Sequence, residues 1–348
     1  MDLQAAADVT LLPRLTEGGP ALEGRIREQP EDFRVVEIPA YLPAGEGDHL
    51  FVRFRKTGLD TPEAVKRIAA LLEVDAREAG WAGLKDRHAI TEQWASFLFG
   101  DAAKLEGAAL EGVEILEAAR HGNKLRTGHL AGNRFALRVA GVPEDALPVV
   151  RERLERVSQT GVPHYFGAQR FGRGGQNLAL AARWLLDGAR PPRKPFHRKL
   201  QVSTLQSAMF NALLADRLRD GLFDAALDGD LMQKEESGGM FVSHDPADDA
   251  RVKAFEISPT GPMFGAKMRW PEGEALAREE ATLEAWGLSR EALGKFKKVG
   301  AGTRRPYRVR VDEPSLAADA DGLHLSFGLP SGAYATVVLR ELLHADPT

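Results

Sequence analysis

The sequence predicts an α+β protein in which a domain with a mostly antiparallel sheet is interrupted by a mainly helical α/β domain. Two observations predict this organisation. Short runs of β-branched and aromatic residues, mixed with isolated helical stripes, occupy the start of the chain and return near its end, whereas long helical patterns fill the middle. The chain has 348 residues, of which 43% are hydrophobic, and this is enough for two domains with cores of their own.

The first part of the chain carries the strand signals. The first twenty residues show no sustained period, and no element is predicted there. Predicted strands, rich in β-branched and aromatic residues, cover 33–37, 49–54, 90–99, 113–118 and 134–139. Thr61 and Pro62 are typical of a helix N-cap followed by proline at the first helical position, and an apolar stripe continues to Leu72. A second helix is expected from Asp145 to about Val157.

Helical patterns take over after Gly161. The predicted helices of this part cover 178–186, 203–219 and 274–286. A connector rich in proline and arginine, 190–198, separates the first two of them. Strand signals return at 307–311 and 323–327, and the closing segment 333–344 is predicted to be helical.

The charges are distributed unevenly along the chain. The net charge of −4 by itself argues against a nucleic-acid partner. Residues 161–220 nevertheless hold ten Lys or Arg against three acids, 295–310 hold seven and 120–138 hold five without any acid, whereas 222–260 hold nine acids against three basic residues. Three basic stretches together favour a polyanionic partner, and we expect a positive cleft and an acidic outer surface.

Several classes of chemistry are excluded by what the sequence lacks. Without cysteine there is no disulfide, thiolate metal site or cysteine nucleophile. The glycines around Gly174 miss the third glycine of a dinucleotide fingerprint, because Asn177 takes its place, and His121 and His129 match no short chelate spacing. We therefore expect no nucleotide cofactor and no metal. No apolar run approaches the roughly 18 residues of a membrane span, so a cytoplasmic protein without membrane contact is expected.

The densest polar stretch runs from residue 82 to residue 94. Asp86 stands between Lys85 and Arg87, and nearby positive charge favours an ionised carboxylate that is available as a nucleophile. The residues alone favour a simpler interpretation, in which Asp86 caps a turn beside two solvated cations.

A second candidate stretch, residues 164–177, interleaves aromatic residues with arginine and glycine. This mixture can stack bases and hold phosphates. It is equally typical of a glycine-rich turn with buried aromatic residues, and composition does not separate the two interpretations.

Five segments, in order along the chain, resemble the motifs of one known family. GLKDRHAITEQW at 83–94 closely resembles the catalytic motif of the TruD family of tRNA pseudouridine synthases. The other motifs of that family are similar to PEDFRVVE at 30–37, KLR at 124–126 with GNRF at 132–135, GVPHYFGAQRFG at 161–172, and LPSGAYAT at 329–336 with LREL at 339–342.

The resemblance implies a pseudouridine synthase catalytic domain formed by residues 1–160 and 305–348, interrupted by a TRUD insertion domain at 161–304, with an RNA cleft between them. It implies an isomerase that acts without a cofactor on uridine 13 of tRNA, with glutamate tRNA as the expected partner of a monomeric chain. The reaction breaks the bond from N1 to the ribose, turns the uracil and rejoins it through C5.

The resemblance also assigns residues. It makes Asp86 the catalytic nucleophile, and whether Asp86 attacks the sugar or the base stays open. The residues expected to contact the target nucleotide are Phe33, Asn133, Phe135 and Tyr334, because aromatic faces replace lost stacking and an amide reads the uracil edge. The expected supporting groups are Lys85, Arg87 and Glu37. The expected RNA contacts are Lys124, Arg126, Arg170 and Arg173.

Two other classes of protein remain as alternatives. The first is a non-catalytic RNA-binding or ribosome-assembly protein on the same fold. The second is a carboxylate-based hydrolase that uses Asp86 with His88 and Glu92. Conversion of uridine in an unmodified transcript separates both from the isomerase.

Overall fold

The structure is a computed structural model that describes residues 2–294 and 297–345, and it contains two compact units. Each unit is assembled from separate stretches of chain. We call the first the sheet unit; its described stretches are 19–155, 311–335 and 342–345. We call the second the helical unit; its described stretches are 2–18, 156–294, 297–310 and 336–341.

The helices of the described residues are numbered in chain order. Helices α1 to α9 are Leu3–Ala7, Thr61–Leu72, Leu147–Thr160, Gln176–Leu185, Pro195–Arg219, Asp248–Lys253, Gly273–Ala285, Arg290–Leu293 and Ala335–Leu343. Across the described part of the chain, none of them is long and apolar enough to cross a membrane.

The strands are numbered in the same way. Strands β1 to β14 are Phe33–Pro39, His49–Thr57, Gly80–Trp81, Ile90–Leu98, Val113–His121, Leu130–Val139, Val162–Pro163, Leu231–Lys234, Met240–Val242, Ile257–Met263, Thr303–Pro306, Arg308–Val309, Asp312–Asp319 and Gly322–Pro330.

An eight-stranded sheet forms the sheet unit. Its strand order is β13-β14-β6-β1-β4-β2-β5, and β3 pairs with β4 beside this path. The pair β1 and β4 is parallel, and the other pairs are antiparallel. The predicted α+β class with a mostly antiparallel sheet is therefore confirmed.

The register of the strands decides which side chains share a face, because directly opposite residues point to the same side. Glu37 lies opposite Asn133, and Phe135 lies opposite both Val35 and Phe327. We call the side that carries these residues the site face. Val35 also lies opposite Thr91 of β4.

Part of the site face is covered by α2, whose apolar stripe packs on β2. The buried residues that meet in this core include Val52, Phe54, Val65, Ile68 and Leu72. Burying one side chain of this size contributes about 1.5–3 kcal/mol. This packing ties α2 to the sheet beside the candidate site.

The start of α2 differs from the prediction. The N-cap is Asp60 and not the predicted Thr61. The Asp60 carboxylate accepts a hydrogen bond from the amide of Glu63 at 2.8 Å. The Thr61 hydroxyl lies inside the structure and donates to Gln93 Oε1 at 2.9 Å. An aspartate at this place satisfies a free amide at least as well as a threonine, and this leaves the hydroxyl for the sheet.

Other elements also differ from the expectations. The start of the chain, for which no element was predicted, forms α1, whose first amides are capped by Asp2. Helix α5 begins at Pro195, inside the predicted connector 190–198, because proline is well tolerated in a first turn. Of the strand predicted at 307–311, only Arg308–Val309 is a strand, β12, and the longer strands β11 and β13 lie before and after the predicted range.

The helical unit contains more sheet than its helical patterns suggest. Four strands pair in the order β11-β10-β8-β9, and β7 pairs with β12. Helix α5 supplies the core, with Met209, Phe210 and Leu214 buried. The acidic stretch 222–260 is part of this folded unit, since it contains β8, β9 and α6.

Candidate active site

Asp86 lies in the loop between β3 and β4, where residues 83–86 form neither helix nor strand. Its Oδ2 atom lies 2.9 Å from a terminal guanidinium nitrogen of Arg27. Its Oδ1 atom accepts a long hydrogen bond of 3.4 Å from the amide of His88. The Asp86 side chain is 39% exposed, so this carboxylate is both paired and accessible.

Arg27 joins the carboxylate to an aromatic ring. Its guanidinium carbon lies 4.2 Å from the centroid of the Phe33 ring, within the range of a cation–π interaction. Its backbone has φ of +64°, which non-glycine residues rarely adopt. Sequence reasoning missed Arg27, because it is one of several arginines before the 30–37 motif and only the fold brings it to Asp86.

Aromatic rings line the site face behind Arg27. Phe33 and Phe135 meet edge to face, with centroids 6.2 Å apart and ring planes at 77°. Phe135 and Phe327 follow at 5.6 Å. All three side chains are buried, so they form a fixed apolar wall.

Lys85 and Glu37 form a buried ion pair next to Asp86. Lys85 Nζ lies 2.9 Å from Glu37 Oε2, and the two side chains are only 6% and 1% exposed. Glu37 Oε1 accepts a hydrogen bond from the amide of Trp94 at 3.3 Å. The structure thus brings together Asp86 and the predicted supporting residues Lys85 and Glu37, with the side chain of Lys85 buried and that of Asp86 partly exposed.

Three residues that sequence reasoning missed hold this loop against the sheet. The Thr61 hydroxyl accepts a hydrogen bond from the Lys85 amide at 2.9 Å. The Gln93 side-chain amide donates to the carbonyl of Gly83 at 3.4 Å. Lys56 Nζ donates to the main-chain oxygen of Asp86 at 2.6 Å. Burial lowers the pKa of Lys56 to about 8.

Asn133 stands beside Glu37 on the site face. Its Oδ1 atom is buried and has no hydrogen-bond partner among the residues that the structure describes. Buried polar atoms are nearly always paired, so this oxygen is an acceptor available to a bound molecule.

The remaining predicted residues of the sheet unit lie on its loops. Tyr334 is half-buried in the segment between β14 and α9. Arg87 Nε donates to the carbonyl of Gly58 at 3.3 Å. Lys124 and Arg126 follow β5; Lys124 Nζ lies 3.9 Å from a carboxylate oxygen of Glu78, and Arg126 is exposed.

Arg170 and Arg173 belong to the helical unit. The guanidinium carbon of Arg170 lies 5.0 Å from the Phe166 ring centroid, and its terminal nitrogen is 3.3 Å from the hydroxyl of Ser203. Arg173 is exposed. Part of the 164–177 stretch is also core: the interpretation as buried aromatic residues holds for Phe166 and Phe171, and contact of Arg170 and Arg173 with RNA stays a prediction.

The expectation that all three basic stretches contribute positive surface is wrong for part of 295–310. Arg304 is buried and contacts both carboxylate oxygens of Glu279, at 2.9 and 2.7 Å. Arg308 is 1% exposed and donates to main-chain oxygens, including that of Ile257 at 3.1 Å. A buried charge must be paired inside the protein, so these arginines are not available to a polyanion. Lys295 lies outside the described residues.

Within the described ranges, no group of three or more His, Asp or Glu side chains is arranged to hold a metal ion. The polar groups of the site are instead the Asp86 carboxylate, the side-chain amides of Gln93 and Asn133, and the paired cations Arg27 and Lys85. Such a set can supply a nucleophile, hydrogen bonds to a base edge and an apolar wall.

The fold defines the class of protein. The chain is similar to the crystal structure of a tRNA pseudouridine synthase D from Methanosarcina mazei, with a TM-score of 0.79, 23% identity and 96% of each chain covered. The class is therefore the α+β pseudouridine synthase fold. A family model described as tRNA pseudouridine synthase D (TruD) matches residues 14–190 and 194–342.

Curated relatives agree with the family model. A tRNA pseudouridine synthase D from Anaeromyxobacter dehalogenans is 48% identical over 97% of this chain and 98% of its own length. A tRNA pseudouridine synthase D from Thermus thermophilus is 40% identical over 96% of this chain and 92% of its own length. The chain belongs to the TruD family, and the resemblance drawn from the five motifs is confirmed.

Proposed function

We propose that this protein is a tRNA pseudouridine synthase that isomerises uridine 13, with glutamate tRNA as its substrate and Asp86 as the nucleophile. The observation that carries the proposal is the Asp86 carboxylate, which is exposed, oriented by Arg27 at 2.9 Å and mounted on a loop bonded to the sheet. Membership of the TruD family and the names of the relatives support the reaction class.

The reaction balances without a cofactor. Asp86 attacks the ribose or the base, and by either route the N1–C1′ bond breaks and a C5–C1′ bond forms. The hydrogen on C5 leaves as a proton, and N1 gains a proton. Nothing is oxidised or reduced, and the product is an isomer of the substrate.

The surrounding residues have roles that follow from their chemistry. The rings of Phe33, Phe135 and Tyr334 offer apolar faces to a base that has left its stack. The unpaired Asn133 oxygen accepts a hydrogen bond from an N–H of the uracil edge. Lys85 and Glu37 hold the Asp86 loop through their ion pair, and Arg87 lies on the exposed side of this loop.

The proposal also covers RNA binding, oligomeric state and location in the cell. The proposed phosphate contacts are Lys124, Arg126, Arg170 and Arg173, whose cationic groups release counterions from the RNA backbone. We further propose that a monomer carries out the reaction in the cytoplasm.

Release of tritium from a transcript labelled at C5 of uridine tests the proposal, because C5 loses its hydrogen only when the new bond forms. In Asp86→Asn, which is isosteric but lacks the charge, we expect no release and a tRNA dissociation constant within about twofold of the wild-type value. Asp75→Asn is the matched control, because Asp75 is also a loop aspartate paired with an arginine, and it should retain full activity.

Carbodiimide-dependent primer extension on the same transcript locates the product. A stop at position 13 of glutamate tRNA that depends on active protein supports the proposed position. Full activity of Asp86→Asn contradicts the role of Asp86. Wild-type binding without tritium release favours the RNA-binding protein, and free uracil or a cleaved strand favours the hydrolase.

A further inference from the structure

Lys56 is a buried cation on the site face. It lies opposite Thr91, and therefore on the same side as Val35 and Phe135. Its side chain is fully buried, which is rare for lysine because an ammonium group loses its hydration there. The proposed reaction does not yet use it.

The partner of this cation is the backbone of the reactive residue. Lys56 Nζ donates to the main-chain oxygen of Asp86 at 2.6 Å. Among the described residues, no carboxylate forms an ion pair with Lys56, although the charges of Asp86 and Asp60 attract it and that of Lys85 repels it. The loop carbonyl is thus the hydrogen-bond partner of the buried ammonium, and it and the two carboxylates offset only part of the cost of burial.

That contact completes the anchoring of the loop on both sides of the reactive residue. The peptide group between Leu84 and Lys85 is held by Thr61 through the Lys85 amide, and the peptide group that follows Asp86 is held by Lys56 through the Asp86 carbonyl. With both peptide groups fixed, the direction of the Asp86 side chain is set by the sheet and α2.

We propose that Lys56 is a positioning residue that fixes the main chain of Asp86, so that the carboxylate meets the target nucleotide in a reactive orientation. This inference rests on the proposed function. Lys56 acts through Asp86 and does not touch the substrate, so its removal should lower turnover and leave RNA affinity unchanged.

The protonation of Lys56 gives the role a pH dependence. Burial lowers its pKa to about 8, while the carboxylates of Asp86 and Asp60 oppose the decrease and Lys85 adds to it. Below this pKa the ammonium holds the carbonyl, and above it a neutral amine makes a weaker hydrogen bond. Turnover should therefore be full below about pH 8 and fall as the pH rises through that value.

Steady-state tritium release from the C5-labelled tRNA transcript tests the role. For Lys56→Met we expect kcat about 100-fold lower, the size of effect that a displacement of about 1 Å produces, with the tRNA dissociation constant within about twofold. Lys56→Arg keeps a positive donor that stays charged, so it should restore at least a tenth of kcat and lose the decline near pH 8. Lys66→Met, an exposed lysine of α2, is the control and should be unchanged.

Three results with the variants would overturn the role of Lys56 while the wild type stays active. These are a Lys56→Met variant with kcat within about threefold, a parallel loss of tRNA binding and turnover, and a Lys56→Arg variant whose decline near pH 8 matches that of the wild type. If Lys56→Met does not fold by circular dichroism, the pH profiles of wild type and Lys56→Arg decide. A flat wild-type kcat from about pH 7 to 9 also contradicts the role.

The outcome is distinct from a failure of the proposed function. Wild-type protein that binds tRNA but releases no tritium refutes the synthase itself. Active wild-type protein with unaffected Lys56 variants refutes only the role of Lys56.

Discussion

Replacing Glu37 by glutamine breaks the buried ion pair that supports the candidate loop. Lys85 Nζ lies 2.9 Å from Glu37 Oε2, with side-chain exposures of 6% and 1%. Removing one partner of such a pair leaves an uncompensated buried charge, which costs about 3–5 kcal/mol of unfolding free energy. Glutamine keeps the oxygen that accepts from the Trp94 amide, so the lower end, about 3 kcal/mol, is expected.

The double variant Glu37→Gln with Lys85→Met measures how strongly the two side chains depend on each other for stability. Because methionine removes the stranded charge, most of the lost stability should return, and the loss in the double variant should fall well short of the sum of the two single losses. Urea unfolding followed by fluorescence and circular dichroism measures each variant. The surface pair of Lys104 and Glu73, 2.6 Å apart with exposures of 35% and 77%, is the control, and Glu73→Gln should cost less than about 1 kcal/mol.

The reasoning is refuted if Glu37→Gln destabilises no more than Glu73→Gln. It is also refuted if the effects of Glu37→Gln and Lys85→Met simply add. Either result would mean that the buried carboxylate and ammonium do not stabilise the fold as a unit.

Two further predictions concern the rest of the sheet unit. Burial alone would raise the pKa of Glu92. Hydrogen bonds from Arg55 and Arg53 outweigh burial and hold this pKa below its usual range. The stability that Glu92→Gln removes is therefore fully present at about pH 7 and is lost as the pH falls through the lowered pKa. Urea unfolding over a series of decreasing pH values should show a shrinking difference between the variant and the wild type, and a difference that stays constant would contradict this. Gly132→Ala should cost about 1–3 kcal/mol, because its Cβ would lie 2.3 Å from the Leu329 carbonyl oxygen, whereas Gly122→Ala meets nothing within 4 Å and is the control in the same unfolding assay.

The strands of the sheet unit could be predicted because their patterning agrees with their burial. Strand β2 buries Leu50, Val52 and Phe54 against α2, and period-two apolar residues are the signal that predicts such a strand. Strand β10 could not be predicted, since Pro259, Gly261 and Pro262 are turn residues that normally exclude a strand between two neighbours.

The charge pattern could be only partly interpreted for a similar reason. A count of residues treats Arg304 and Arg126 alike. In the structure Arg304 is buried against Glu279, whereas Arg126 is exposed. Whether an arginine serves the core or a polyanion depends on which carboxylates the fold brings to it.

The sequence by itself determined the α+β class, the family and the position of Asp86, because these depend on local patterning and on motifs that are continuous in the chain. Only the tertiary structure decided what surrounds Asp86. Arg27 reaches the Asp86 loop from the segment before β1, Lys56 from β2, and Glu37 from β1. A hydrogen bond needs a donor–acceptor distance within a few tenths of an ångström of about 2.9 Å. Strand register and helix packing set those distances, and no single segment of the sequence specifies them.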